Sequence, residues 1–265
     1  AGIPCVIHHH KTFNPRRKRR WFILRLLARM AVRHLTLSDQ TRKDLVARLR
    51  FPDERVVSLP NSVDTTVFKP TADRQALKRE LGLPTDRLVI GGIASLAPQK
   101  NHGASIEMFR GLKETTDGFH GIICGEGPLR VELEAQIGRV GLTQHVFLPG
   151  NKRPLHPWLQ AMDLLVFPST WEGQPMVLLQ AMACETPIIA SDIEGNVATL
   201  GADHPGLFAV DSPKKFLSQV NLFQSDGGFA DRILAHQRER FASEPSLNDY
   251  LERLHEVYAG VCRAR

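Results

Sequence analysis

Residues 171–190 carry the pattern that most restricts the fold of this chain. An apolar run at 164–167 precedes them, and they supply a loop, a helical pattern, a proline break and a second apolar run. The helical pattern places apolar residues at Met176, Leu179, Met182 and Ala183. This order predicts a strand, loop, helix and strand of the parallel α/β kind. Glu172 would then lie at the carboxyl end of a strand, where open parallel sheets bind ligands.

The same alternation extends along most of the chain. Strands are predicted near residues 3–7, 34–37, 55–59, 87–94, 118–124, 144–148, 163–167, 186–190 and 206–209. Helices are predicted near residues 16–32, 39–50, 73–82, 101–114, 128–140, 153–161, 174–185, 212–224, 229–240 and 246–261. Regular alternation of this kind favours an α/β fold, a Rossmann-like parallel sheet with helices on both faces.

Composition excludes several other classes. The 265 residues suffice for one large or two smaller domains, and 42% hydrophobic content is normal for a globular protein. The sequence contains no run of about 18 apolar residues, so we expect no transmembrane helix. The four cysteines are scattered, which favours reduced core thiols over disulfides or metal ligands. These features favour a cytoplasmic protein.

The positive charge is concentrated near the start of the chain. Nine basic residues fall within 11–33, the first acidic residue is Asp39, and the formal net charge of the chain is +6. Beyond that segment we expect no nucleic-acid partner. Three interpretations of residues 16–33 stay open: peripheral binding to an anionic membrane surface, a helix face packed on the rest of a domain, and, least favoured, nucleic-acid binding.

Residues 171–190 resemble the nucleotide-sugar motif of the family-four retaining glycosyltransferases, which have the GT-B fold and include the glycosyl transferases group 1. The family pattern is an acid, seven residues, a second acid, and then A-M-A-x-G-x-P-V-V-A. Here the first acid is Glu172, whereas Gln180 stands at the second acidic position. Glu185 stands where the family has glycine.

Four further segments resemble the family in the right order. Residues 55–68 are similar to its P-N-G-V-D-x-x-x-F signature, and residues 122–130 and 146–150 to its G-x-G-P turn and the next strand. Residues 92–101 resemble the loop G-R-L-x-x-x-K, in which Lys100 is kept and Ser95 replaces the arginine.

The resemblance implies a domain organisation. Residues 1–59 would be a remnant of the N-terminal, acceptor-side Rossmann-like domain, and 60–70 the hinge. Residues 71–243 would form the nucleotide-sugar-binding Rossmann-like domain, and 244–265 a C-terminal helix that can cross back onto the first domain. We therefore expect a fragment that holds the donor half of a two-domain protein.

The resemblance also implies roles for individual residues. Lys100 would bind the donor pyrophosphate, for which the Ser95 hydroxyl replaces a bidentate guanidinium with a single donor. Glu172 would accept hydrogen bonds from the donor sugar, and Gln180 would contact the ribose. The loop and helix start that follow Glu172 would offer main-chain N–H groups to the donor, at Gly173, Gln174, Met176 and Val177.

His10 matches the family's N-terminal-domain histidine near the donor sugar. His8 and His10 share one face of a strand, but no third metal ligand is evident, so we predict no metal site. The nucleotide sugar would be a substrate, and no cofactor is expected.

The expected function is therefore transfer of a sugar from a nucleotide-sugar donor to an acceptor hydroxyl, with retention of configuration. The acceptor would be a glycan or glycolipid of the cell envelope, met in the cytoplasm or at the inner membrane face. Two alternatives stay open. One is a non-catalytic nucleotide-sugar-binding protein that is degenerate at Ser95 and Gln180, and the other is a nucleotide-sugar epimerase on the same fold.

Overall fold

The computed structural model describes residues 7–10, 33–116 and 118–263. The chain divides into two compact units, one of residues 1–62 with 245–265 and the other of residues 63–244. The predicted helix near 16–32 and most of the predicted strand near 3–7 lie outside the described residues.

The first unit contains a parallel sheet of three short strands in the order β1-β2-β3. The strands are β1 (Ile7–His10), β2 (Arg33–Thr36) and β3 (Val56–Ser58). Helix α1 (Asp39–Leu49) follows β2, and Ser38 caps it by accepting a hydrogen bond from the Thr41 N–H. The last helix of the chain, α10 (Leu247–Arg263), belongs to this unit.

The second unit is built on a six-stranded parallel sheet in the order β6-β5-β4-β7-β8-β9. Its strands are β4 (Leu88–Ile93), β5 (Phe119–Cys124), β6 (Val146–Gly150), β7 (Leu164–Phe167), β8 (Ile188–Ser191) and β9 (Leu207–Phe208). Its helices are α2 (Arg74–Glu80), α3 (His102–Lys113), α4 (Arg130–Arg139), α5 (His156–Ala161), α6 (Met176–Ala183), α7 (Glu194–Leu200), α8 (Pro213–Ser225) and α9 (Phe229–Ala242). The order reverses next to β4, which creates a crevice at the carboxyl ends of the central strands.

Helices cover both faces of this sheet, as the alternation predicted. Successive strand residues point to opposite faces. Leu164 and Val166 of β7 pack in a core with α3, α4, α8 and α9, whereas Leu165 and Phe167 pack in a second core with α5, α6 and α7. We call the side of the second core the α6 face of the sheet.

Three predictions of secondary structure need correction. Helix α7 was not predicted, although Val197 and Leu200 have helical spacing and Gly201 follows as a stop. Helix α6 begins at Met176 rather than at 174, because Gln174 precedes Pro175, and a residue before proline disfavours helical backbone. Helix α5 begins at His156 rather than at 153, and Pro157 lies in its first turn, where proline is tolerated.

The described cysteines agree with the expectation of reduced thiols. Cys124 and Cys184 are buried and unpaired, and burial raises the pKa of each thiol to about 12. Cys262 is also unpaired but is exposed on α10. No helix among the described residues is long and apolar enough to cross a membrane.

Candidate donor site

Most of the residues singled out by the sequence lie at the carboxyl edge of the six-stranded sheet. Ser95 and Lys100 follow β4, and the loop that begins with Pro168 carries Glu172 after β7. Because β4 and β7 are hydrogen-bonded neighbours, their two loops leave the sheet side by side. This edge of the second unit is the candidate donor site.

Lys100 and Glu172 meet directly. The Lys100 ammonium donates to Glu172 Oε1 at 2.5 Å, and their side chains are 19% and 9% exposed. The ammonium also lies 5.3 Å from the centre of the Phe167 ring, on the α6 face. The pair is thus largely withdrawn from water, so its electrostatic attraction is screened less than that of a surface pair.

The neighbouring residues join the same two loops through the backbone. Thr170 donates its N–H to the Gln99 carbonyl at 2.9 Å, and its hydroxyl donates to the same oxygen at 3.2 Å. In return, Gln99 Nε2 donates to the Trp171 carbonyl at 2.7 Å. The ion pair is therefore set in a loop pair whose backbone is held independently of it.

Helix α6 begins just after the Glu172 loop. Pro175 is its N-cap and makes no side-chain capping bond, and the first N–H paired within the helix is that of Leu178, bonded to the Pro175 carbonyl. Met176 and Val177 thus belong to the first turn, whose N–H groups have no intrahelical partner and can bind an anion. The Met176 side chain is 38% exposed, while Val177 packs against the second core.

Gln180 lies one turn further along α6 and is partly exposed. Its flanking residues are buried, since Leu179 packs with Val63 and Ala183, and Ala181 lies in the second core. The Gln180 amide makes no hydrogen bond to any other described residue. The role predicted for it on ribose therefore stays a prediction.

The β4 loop lies against the glycine turn after β5. A Cβ atom on Gly125 would approach the Ala94 carbonyl oxygen to 1.9 Å, and one on Gly127 would approach the Leu96 carbonyl oxygen to 2.5 Å. Both glycines therefore permit a close approach of backbone. The Ser95 side chain between these contacts is exposed.

The buried side chain of His102 holds this loop through its backbone. The sequence alone did not indicate this residue. Its ring is 2% exposed, and Nε2 lies 3.2 Å from the Ser95 carbonyl oxygen. Burial, with a smaller contribution from the nearby Lys100 charge, lowers the pKa of His102 to about 4. The neutral imidazole therefore donates to the carbonyl and holds the loop without adding charge.

Helix α7 is the second feature that the sequence analysis missed. A Cβ atom on Gly195 would lie 2.5 Å from the Glu172 carbonyl oxygen and 2.7 Å from that of Gly173. The start of α7 therefore packs directly on the backbone of the Glu172 loop. The signal in the sequence is a glycine at the second position of a short apolar pattern.

A buried polar network lies under the same loop. The Ser191 hydroxyl at the end of β8 donates to the Ser169 carbonyl at 2.5 Å, and Asn196 Nδ2 donates to the Ser191 carbonyl at 2.9 Å. All three residues are fully buried. These hydrogen bonds tie α7 and β8 to the start of the Glu172 loop.

Glu185, which replaces the family glycine, follows α6 with a left-handed φ of 53°. Its carboxylate pairs with both ends of the Arg238 guanidinium on α9, at 2.8 and 2.6 Å. The same hydrogen bonds lower the pKa of Glu185 and raise that of Arg238. A glycine would adopt this backbone conformation without strain, whereas here an ion pair accompanies the strained residue.

The remaining predicted residues lie outside this site. His10 ends β1 in the first unit, in register with Thr36, and its side chain is outside the described residues. Residues 11–32, and so nearly all of the basic segment, are outside them as well. Within the described residues, no three His, Cys, Asp or Glu side chains cluster as a metal site would require.

Comparisons with known proteins agree with this architecture. The crystal structure of Anabaena Alr3699/HepE in complex with UDP and glucose matches with a TM-score of 0.85 at 18% identity, over 96% of this chain and 71% of that chain. The fold is thus that of the GT-B glycosyltransferases. The chain belongs to the family described as Glycosyl transferases group 1, whose model matches residues 73–241, and residues 1–67 match the model of Glycosyltransferase Family 4.

Two proteins of known sequence are examples of the relatives that this chain resembles. The putative glycosyltransferase EpsF of Bacillus subtilis is 32% identical over 202 residues, which are 72% of this chain and 52% of that protein. An Escherichia coli protein described as UDP-Gal:alpha-D-GlcNAc-diphosphoundecaprenol alpha-1,3-galactosyltransferase is 28% identical over 74% of this chain and 54% of that protein. The chain thus spans about half the length of these relatives.

Proposed function

We propose that this chain is the donor-binding part of an enzyme that transfers a sugar from a nucleotide sugar to an acceptor hydroxyl with retention of configuration. The observation that carries the proposal is the Lys100–Glu172 pair at the carboxyl edge of the sheet, beside the start of α6. Residues 71–243 would form the donor domain, 60–70 the hinge, and 1–59 part of the acceptor side.

The pair would exchange partners when the donor binds. The Lys100 ammonium would turn to the diphosphate, and the Glu172 carboxylate, which has acceptor capacity only, would take hydrogen bonds from the sugar hydroxyls. Lys100 and the first N–H groups of α6 would stabilise the negative charge that develops on the leaving diphosphate. Stabilisation of this kind usually contributes most to such catalysis.

The acceptor we propose is an envelope glycan or a lipid-linked glycan. Support comes from the names of relatives, among them the Escherichia coli galactosyltransferase above and a lipopolysaccharide core biosynthesis mannosyltransferase of Rhizobium meliloti. Such an acceptor is met at the cytoplasmic membrane face. Docking of residues 16–33 on anionic lipid is part of this proposal and rests on their sequence alone.

A degenerate binding protein is the second candidate. The exposed Ser95 offers no cation, and Gln180 offers no carboxylate. This candidate predicts that the protein binds a nucleotide sugar and never consumes it.

One experiment separates the two candidates. The purified protein is titrated with UDP, GDP and ADP by calorimetry, and the nucleotide that binds is then supplied as its sugar derivatives with glycolipid acceptors. We expect binding of one diphosphate, release of that diphosphate on transfer, and a product whose anomeric coupling constant in NMR matches that of the donor. Binding without turnover favours the degenerate candidate, an inverted product refutes retention, and absence of binding to all three nucleotides refutes the donor site.

A further inference from the structure

The candidate site has a second source of positive charge. Each of the strands β4 to β9 is followed by a loop that leads into the next α-helix. Among the described residues, these loops contain three basic residues, Lys100, Lys152 and Arg153. Lys100 already pairs with Glu172. Lys152 and Arg153 both follow β6 and make no ion pair with any carboxylate of the described residues.

Lys152 lies on the same face of the sheet as Lys100. Its ammonium is 4.8 Å from the centre of the Trp158 ring. Burial raises the pKa of the Cys124 thiol, and the Lys152 charge opposes that rise. Cys124 ends β5 and packs in the second core, as does Phe167, the ring beside the Lys100 ammonium. Both ammonium groups therefore lie on the α6 face.

The strand order places the two lysines on opposite sides of the β4 loop. Strand β4 lies between β5, which ends beside Lys152, and β7, which ends beside Lys100. Because neighbouring strands are about 4.8 Å apart, the ends of β5 and β7 are separated by about 10 Å. The Ala94 N–H is bonded to the Cys124 carbonyl at 3.1 Å, so the exposed Ser95 comes next to the end of β5.

We propose that Lys152 is the second cation of the diphosphate site and replaces the guanidinium that is missing at Ser95. This assignment rests on the proposed donor site. A diphosphate over the end of β4 would have one ammonium on each side, Lys100 towards β7 and Lys152 towards β5. The lysine stem is long and flexible, so Lys152 can leave the Trp158 ring for a phosphate oxygen without a change in the fold.

Lys152 and an arginine at position 95 should be able to substitute for each other. If Lys152 supplies the charge, an arginine at position 95 duplicates that charge in the unmodified protein and restores it in a variant without Lys152. A residue with a purely structural role at Lys152 would show no such dependence.

The test compares single and double substitutions by calorimetry with UDP, GDP and ADP, taking forward the nucleotide that binds and its nucleoside. K152Q should weaken diphosphate binding roughly tenfold and leave nucleoside binding unchanged, because one charge-assisted contact is lost. S95R in the K152Q background should recover most of that loss, and S95R alone should change affinity by less. R153Q removes the neighbouring charge of the same loop and should have little effect.

Four other outcomes would contradict the assignment of Lys152. Unchanged diphosphate binding in K152Q, equal losses in K152Q and R153Q, equal losses for the diphosphate and the nucleoside, or no recovery with S95R would each exclude Lys152 as the second cation. K100M is measured in parallel, because it tests the donor site itself. If K100M weakens binding and K152Q does not, only the present proposal falls, whereas if K100M has no effect, the proposed donor site fails as well.

Discussion

The Lys100 ammonium lies 2.5 Å from Glu172 Oε1, although 72 positions separate the two residues in the chain. The family resemblance predicts that they contact different parts of the donor, Lys100 a phosphate and Glu172 a sugar hydroxyl. Their contact means that each holds the other in place before any donor arrives. It also means that donor binding must replace an ion pair, so part of the new interaction energy offsets the loss of the old one.

Lys100→Met should weaken binding of a nucleoside diphosphate by about 1.5–3 kcal/mol, because one hydrogen bond to a charged group is removed. Binding of the matching nucleoside should change little, and calorimetry with both ligands measures the difference. Lys113→Met is a matched control, since Lys113 is an exposed residue of α3 whose ammonium donates to the Gly141 carbonyl. Equal losses for nucleoside and diphosphate would rule out a phosphate contact of Lys100.

Gly195→Ala should weaken donor binding at least tenfold, because its Cβ would lie 2.5 Å from the Glu172 carbonyl oxygen and the loop must move. Gly138→Ala is the control, since Gly138 is also helical and an added Cβ meets nothing within 4 Å. The control should stabilise the protein by about 0.4–1 kcal/mol. Titration and urea unfolding of both variants provide the test, and unchanged binding in Gly195→Ala would separate α7 from the site.

Gln180→Glu should tighten donor binding by about 1 kcal/mol, because a carboxylate accepts from ribose hydroxyls with charge assistance. The gain should vanish for a ligand that lacks both hydroxyls, such as a dideoxynucleotide sugar. Parallel titrations of the two ligands measure it. An equal change for both would show that residue 180 does not contact the ribose.

The residue at position 185 should show a strain that glycine relieves. Glu185→Ala keeps the left-handed backbone and loses the Arg238 pair, so we expect it to destabilise the protein. Glu185→Gly should be about 1 kcal/mol more stable than the alanine variant, because glycine adopts this φ freely. Urea unfolding measures both free energies.

Arg238→Ala supplies the complementary test. It should cost at most about 1 kcal/mol, since both side chains of the pair are substantially exposed. In the Glu185→Gly background the same change should cost nothing. A persistent cost there would assign Arg238 a role other than its pairing with Glu185.

The free energy of unfolding should fall on acidification below pH 6.5. The pKa of His102 and that of His204 are each lowered to about 4, chiefly by burial. For His204 the neighbouring His236 charge contributes to the lowering, while Gln237 and Asp203 oppose it. The unfolded chain therefore binds more protons than the folded chain between about pH 6.5 and 4, so stability is lost as pH falls through that window. Each group should contribute about 2 kcal/mol of loss between pH 7.5 and 5.

Urea unfolding at the two pH values checks this loss. His204→Gln should reduce the pH dependence by the contribution of one group. His255→Gln, which changes an exposed histidine of α10, should leave it unaltered. A pH dependence that is the same in all three proteins would contradict the assignment to His204.

The strand pattern and the motif were sufficient to predict the α/β class and the edge of the sheet at which the candidate residues meet. Apolar runs alternate with helical patterns along the chain, and the loops at the carboxyl ends of neighbouring parallel strands must lie side by side. The strand pattern predicts this position for Glu172, whereas the roles of Ser95 and Lys100 are predicted by the family resemblance of residues 92–101. Helix α7 was missed because its pattern is short, and a helix of that length is formed by packing rather than by its own propensity.

What the sequence by itself determined is therefore local and periodic: which segments form strands and helices, and which residues stand where strands end. The tertiary structure decided which of these residues touch. Three of these contacts join segments that are far apart in the chain or belong to different elements. They are the ion pairs Lys100–Glu172 and Glu185–Arg238 and the contact of Gly195 with the Glu172 backbone. No local pattern encodes such distances, because they follow from strand order and from the packing of helices on one face of the sheet.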